Sequence, residues 1–497
     1  MNALKTSIAA LLAIATVQTA SADVTIRITG SSAFRAATSA AIKNILTNPV
    51  YAYDGSSYSG ATHQILSGTI ATLPAAGTVT IKTNWSGSVA GIRDVSQGNN
   101  LTFFANDTAL TAAGNNLTGS TSPTANAKLT ESTFAEIALA DNLQSSTRFT
   151  ATTLTDAIVG VVPFAFVASN GAPAAVTNIT SQLARTTFST GYASAALFTN
   201  NNADAIDQAG GSWIYAAGRD PFSGTRLVAL AETGLGVKTA LAQYEVTGTI
   251  SANVVSQIRA TLADVPNGVG AGDNGFASGG TLADMMRYTT TSVEDTTNDP
   301  KPDGSNRKIA FVSYLGEGDA DRAVNGTGSA VTGAGSGNAR YLTYNGVSGF
   351  AGVRATPTVS TTTASTTLTL TTGTTAGLVA GQAIKGNGIP NDNTIASIVD
   401  ATHLTLTIAA TATASGVTAT ITNLLPANIR SGAYSFWGYE HILWTASINS
   451  DATKLGIANL IKNQITNTDY FNSGIANDSS MRVKRTSDGG TIIGKYY

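Results

Sequence analysis

The chain contains no cysteine, and its 497 residues include only three histidines, His63, His403 and His441. The first absence removes disulfide staples and thiol chemistry, so the fold must rest on packed cores. The scarcity and wide spacing of histidine argue against zinc sites, which cluster His and Cys, and against a nucleophile activated by a neighbouring imidazole. His441 lies in an aromatic stretch, Tyr434-Ser-Phe-Trp-Gly-Tyr-Glu-His441, and reads as a core or cleft residue. No G-x-S-x-G elbow is present. The chain therefore reads as a protein that is not an enzyme, with no metal or cofactor. Charge is sparse too: Lys, Arg, Asp and Glu make up 12% of the residues and the formal net charge is -2. Such a balance lacks the broad basic face that nucleic acid requires.

Long apolar runs are equally rare. Ser7 to Thr16 (SIAALLAIAT) is apolar but too short to span a bilayer. It follows Lys5 and precedes Ala20-Ser21-Ala22, the small-x-small form of an export cleavage site, so residues 1–22 are expected to be a signal peptide. No later stretch reaches ~20 continuous apolar residues, so no membrane span is expected once that segment is removed. The expected location is the periplasm, with the cell surface or the extracellular medium as other destinations of the same export.

Three strand–turn–helix units are present. Val24, Ile26 and Ile28 alternate as in a half-buried strand, Thr29-Gly-Ser-Ser-Ala-Phe34 forms a turn, and Ala37, Ala41, Ile42 and Ile45 follow at helical spacing. Val79 and Ile81, then Trp85-Ser-Gly-Ser88, then Val89, Ile92 and Val95 repeat the pattern up to Gly98. Ser212 to Gly218, then Arg219 to Thr225, then Leu227, Leu230 and Ala231 repeat it again up to Gly234. Strands alternating with helices indicate an α/β architecture. Residues 356–423 depart from it. They are rich in Thr, Ala, Gly and aliphatic residues, with alternating segments such as Thr366–Thr371 and His403–Ile408, and read as a small all-β insert. Gly268-Val-Gly-Ala-Gly-Asp-Asn-Gly275 contains a G-x-G-x-x-G, but it follows Pro266-Asn267 rather than a strand. It reads as a mobile loop and not as a dinucleotide site.

The three turns share a chemistry. Each sets a hydroxyl near a predicted helix start: Ser32, Ser88, and Ser223 with Thr225. The first N–H groups of a helix lack internal partners and, with the helix dipole, favour anions. The third turn adds Arg219 four residues before Ser223-Gly224-Thr225, a planar fork suited to a tetrahedral oxyanion, with Gly224 allowing close backbone approach.

On these residues the chain resembles the periplasmic phosphate-binding proteins of ABC phosphate importers. Arg219, Ser223, Gly224 and Thr225 match that family's Arg-x-x-x-Ser-Gly-Thr, and Ser88 matches its Ser before a short glycine-containing helix. Thr29 to Phe34 resembles the first phosphate loop, which would bring in Ser32, Ala33 and Phe34. Asp107, ending Leu101-Thr-Phe-Phe-Ala-Asn-Asp107, resembles the strand-end carboxylate that accepts a hydrogen bond from protonated phosphate. Ala33 and Asn106 depart from the family, which has hydroxyls there. Arg35 and Arg93 lie near the loops and read as solvated. The resemblance covers most of 23–355 and 424–497. It implies a two-lobe type II periplasmic-binding-protein fold, with lobe 1 over 23–165 and 432–497 and lobe 2 over 166–431, the latter carrying the 356–423 insert. It also implies capture of phosphate or a similar oxyanion in the interlobe cleft, for ABC-type uptake through a membrane permease or for sensing. The alternatives are a surface structural or adhesive protein that keeps the fold and, least favoured, a secreted phosphoester hydrolase.

Overall fold

Apolar side chains that alternate along a strand and then recur every three to four residues can bury one face each only if helices pack on a sheet. The chain folds this way. The computed structural model of the protein describes residues 22–55, 57–105, 115–116, 130–208, 211–251, 254–295, 308–326, 338–467 and 477–495. The expected signal peptide therefore lies outside the described residues, apart from Ala22.

In chain order, the first half contributes β1 (Val24–Gly30), α1 (Arg35–Ile45), β2 (Thr47–Tyr53), β3 (His63–Thr69), β4 (Val79–Asn84), α2 (Ser88–Gln97) and β5 (Ile137–Ala140). The long strand β6 (Thr155–Ala168) leads into the second half, with β7 (Tyr192–Ser194), β8 (Ser212–Ala217), α3 (Gly224–Thr233), α4 (Gly279–Met285), β9 (Lys308–Gly316) and α5 (Glu317–Asn325). The strand β10 (Trp437–Trp444) brings the chain back, and α6 (Ala452–Asn467) packs against α1. One sheet runs through both halves in the order β7-β8-β9-β6-β10-β5-β1-β4-β3-β2, with a two-residue strand, Asn115–Asn116, at the far edge.

Two antiparallel strands join the halves. Along Thr155–Pro163, β6 pairs with β10; from Phe164 onward it pairs with β9. The chain thus crosses from one half to the other inside a single strand and returns through β10, which also pairs with β5. Every residue of β10 is buried, as expected of a central strand covered on both faces. The result is the two-lobe α/β arrangement expected from the sequence.

The all-β insert is a separate layer. Strands within residues 358–418 form a five-stranded sheet of their own, and Leu368, Leu370, Leu404 and Leu406 turn inward while the threonines between them face outward. Its ends meet: Ala355 and Ile421 exchange both backbone hydrogen bonds, at 3.0 and 2.8 Å. Polar groups beside those ends clamp it to α5. Arg354 Nη1 donates to Asp321 Oδ2 at 2.5 Å, and Asn423 Nδ2 donates to Tyr341 Oη at 2.5 Å.

Glu317 lies within this clamp. Burial first, and the Asp321 charge second, push its carboxyl up to about 8. The folded protein then holds a proton that the unfolded chain gives up near 4.5, so stability is expected to fall as pH rises from about 4.5 to 8. In Glu317→Gln that slope should flatten in melting curves taken across the window; an unaltered slope would remove Glu317 as its source. Replacing residues 357–419 by two glycines is expected to preserve the two-lobe fold, because Ala355 and Ile421 already adjoin. Loss of the native circular-dichroism spectrum in that variant would show that the lobes need the insert.

Candidate functional site: a closed pocket between the lobes

Four loops leave the C-terminal ends of strands and converge. They follow β1, β4, β5 and β8, and they carry Ser31, Ser32 and Ala33; Gly87 and Ser88; Asp141; and Arg219, Ser223, Gly224 and Thr225. Ligands of open α/β sheets collect at such carboxyl ends. The structure thus brings together seven residues singled out from the sequence: Ser32, Ala33, Ser88, Arg219, Ser223, Gly224 and Thr225.

Close packing positions each loop. A Cβ on Gly91 in α2 would stand 2.5 Å from the Gly30 Cα, so only glycine lets α2 sit down on the end of β1. Ser223 caps α3, accepting a hydrogen bond from Arg226 N at 3.4 Å. Ser88 is the first residue of α2, and its hydroxyl donates to Asp141 Oδ1. The first turn departs from expectation: α1 starts at Arg35, and Ser31 rather than Ser32 accepts from Phe34 N, at 3.2 Å. Phe34 itself does not line the pocket; its ring is wholly buried in the core under α1. Among the described residues, the N–H groups of Ser32, Ala33, Ser88, Gly224 and Thr225 have no hydrogen-bond acceptor.

Arg219 is 3% exposed and rigidly held. Its Nε donates to Phe276 O and its Nη2 to Ala277 O, both at 3.0 Å, so one edge of the guanidinium is spent on the backbone. Its own carbonyl accepts from Gln243 Nε2 at 3.2 Å and from Arg226 Nη1 at 3.3 Å. Arg226 in turn donates to Asp273 O at 2.6 Å, and Gln243 donates to Asn274 O at 2.7 Å. The glycine-rich run expected to be a mobile loop is therefore pinned by these bonds and forms the backing of Arg219.

Asp107 lies outside the described residues. The carboxylate that the structure places in the pocket is Asp141, which sequence reasoning missed. It is 1% exposed and directly follows β5. Burial pushes its carboxyl up, while the Ser88 hydroxyl and the Arg219 charge pull it down. Its signal was available as Ile137-Ala-Leu-Ala-Asp141, a short apolar strand ending on an acid. Among the described residues, Asn100–Phe104 pairs with Thr130–Phe134 in a two-stranded ribbon apart from the main sheet.

The lobes touch across the pocket. A Cβ on Gly224 would stand 1.8 Å from Asp141 Oδ1 and 2.6 Å from Ser88 Cβ, so the start of α3 in the second half lies directly on the first. Phe222 reinforces this contact. Its carbonyl accepts from Val89 N and Ala90 N at 3.1 and 3.3 Å, which caps α2 from the opposite lobe. The guanidiniums of Arg93 and Arg148 lie over its ring, 4.6 and 5.6 Å from the centroid. Arg93 is thus engaged rather than solvated. Arg35 is half-buried as well, facing the Asp319 carboxylate of α5 and Asp54.

No known family matches the sequence, and no curated protein does. Solved structures similar to this chain include an ABC-type phosphate transport receptor from Vibrio cholerae, 12% identical with a TM-score of 0.35, covering 91% of this chain and 99% of that one. A phosphate-binding protein from Stenotrophomonas maltophilia is 12% identical with a TM-score of 0.30, covering 92% and 88%. Among the described residues no helix is long and apolar enough to cross a membrane.

Gly224→Ala is expected to hold the lobes apart, because the added methyl meets both Asp141 and Ser88. Small-angle X-ray scattering should then give a larger radius of gyration than for the parent chain. An equal radius would mean that the contact does not set closure.

Proposed function

We propose that this protein binds one tetrahedral oxyanion that still carries a proton, phosphate before others, and releases it unchanged. The observation that carries the reading is a buried carboxylate, Asp141, in a pocket otherwise made of donors. Arg219 and the unpaired N–H groups at the starts of α2 and α3 supply positive potential and hydrogen bonds in place of the anion's water. A carboxylate among them repels a fully ionised anion but accepts a hydrogen bond from one that keeps a proton. An unpaired charge buried against another costs several kcal/mol, enough to separate phosphate from sulfate. Ser32, Ala33, Ser88, Ser223, Gly224 and Thr225 would contact the anion. Closure over it would follow from bending where β6 and β10 cross between the lobes. Delivery to an ABC-type membrane permease from the periplasm, or a sensing role, extends this reading through the sequence resemblance.

Calorimetric titration of ligand-stripped protein with phosphate, arsenate and sulfate tests it. Phosphate and arsenate are expected to bind and sulfate to fail. Arg219→Ala should cost about 2–5 kcal/mol, at least about thirtyfold in affinity. Asp141→Asn should admit sulfate. A ligand-free protein that takes up none of the three would sink the reading, and unchanged affinity in Arg219→Ala would sink the assignment of the site.

A further inference from the structure

Glu440 is the one acidic residue of β10, a strand otherwise filled by aromatic and aliphatic residues around His441. It is 0% exposed, and neither carboxyl oxygen makes a hydrogen bond of good geometry among the described residues. The Ser31 hydroxyl is the polar group beside it. β10 runs antiparallel to β5, and the ladder ends at the pair His441–Ala140, so Glu440 and Asp141 are the residues that leave it side by side; the Asp141 charge acts on Glu440. Two carboxyl groups held as neighbours out of water do not both ionise.

The surroundings of the two groups differ. Asp141 has the Ser88 hydroxyl from α2 and the Arg219 charge from the loop after β8, against one further acid, Asp488, from the C-terminal segment. The charge facing Glu440 is Asp141 itself; burial, followed by that charge, pushes its carboxyl well up. A single negative charge on the pair therefore settles on Asp141, and the proton stays on Glu440.

We propose that Asp141 and Glu440 form an acid pair bearing one charge at the base of the pocket, and that Glu440 thereby sets the selection between oxyanions that carry a proton and those that do not. The proposal rests on the oxyanion reading given above and adds a residue to it. With both groups ionised the pocket repels every anion. With neither ionised, nothing rejects a fully ionised oxyanion such as sulfate. One shared charge is the state that discriminates, and the second carboxyl confines that state to a window of pH.

Calorimetry of the full chain and of Glu440→Gln with phosphate and with sulfate, from about pH 5 to 10, reads this window. Phosphate stays a dianion at the alkaline end, so a falling affinity there belongs to the protein. The parent chain is expected to lose affinity as the pair gives up its last proton, by up to about tenfold per pH unit, while Glu440→Gln stays flat. At the acid end, where Glu440 is already neutral, parent and variant should begin to take up sulfate at about the same pH, so the difference between them is confined to the alkaline limb. If the parent takes up no oxyanion, this proposal falls together with the reading it rests on. If the parent binds phosphate but both proteins share one pH profile, the pair is overturned and the pocket stands. Carbon-13 carboxyl titration of the parent chain covers the case in which the variant misfolds. A Glu440 resonance that shifts only at the highest pH, and moves lower in Asp141→Asn, supports the pair. Titration of Glu440 in the ordinary carboxylate range overturns it.

Discussion

The guanidinium of Arg219 sits almost out of water, and three carboxyl groups draw on it. Asp141, Asp220 and Asp319 are each pushed up by burial and each held down by the charge of Arg219. Moving any of these ions out of water costs several kcal/mol unless partners are fixed in place. Much of the second lobe serves that requirement. The carbonyls of Phe276 and Ala277 fix one edge of the guanidinium. Tyr314 on β9 accepts from Arg219 N at 3.3 Å and donates to Gln243 Oε1 at 2.8 Å. Gln243 and Arg226 tie the glycine-rich segment to the same backbone. A rigid cation of this kind is what an anion pocket needs, because little reorganisation remains when the ligand arrives.

The sheet explains why the pocket lies where it does. Parallel strands β1, β4 and β5 in one lobe run opposite to β8 in the other, because three antiparallel pairings through β10 and β6 separate them. Their carboxyl ends therefore face one another, and each ends in a loop that starts or backs a helix. β6 and β10 lie between them, so the pocket forms where the chain passes from one lobe to the other. The insert is fastened to α5 by Arg354 and Asn423, which meet Asp321. It adds a second core without interrupting the first.

The three strand–turn–helix units were legible because each combines a period of two, a glycine turn and a period near four within some twenty residues. The Arg219 motif was legible for a similar reason: its chemistry lies in seven consecutive positions. Strand neighbours were not. Both Leu101–Asp107 and Ile137–Asp141 read as segments ending on an acid, and the tertiary pairing of Ile137–Ala140 with β1, which brings Asp141 to the pocket, is not written in either stretch. Glu440 was hidden in the same way. In the sequence it is a polar residue in an aromatic stretch, and its meaning comes from a partner almost three hundred residues away. Phe34 came to the candidate site only through the resemblance of its loop, and its ring is an apolar residue that the core under α1 takes up.

Phe222 has no place in the pocket, yet its carbonyl and ring fasten one lobe to the other. Contacts that hold the closed form without cargo raise the fraction of molecules already shut, and apparent affinity scales with the fraction that is competent to bind. On the proposed oxyanion reading, retention can therefore be tuned at residues outside the pocket. On that reading, substitutions at Phe222, Arg93 or Arg148 would retune retention for a richer or poorer environment while the choice of anion proposed for Asp141 would be inherited unchanged.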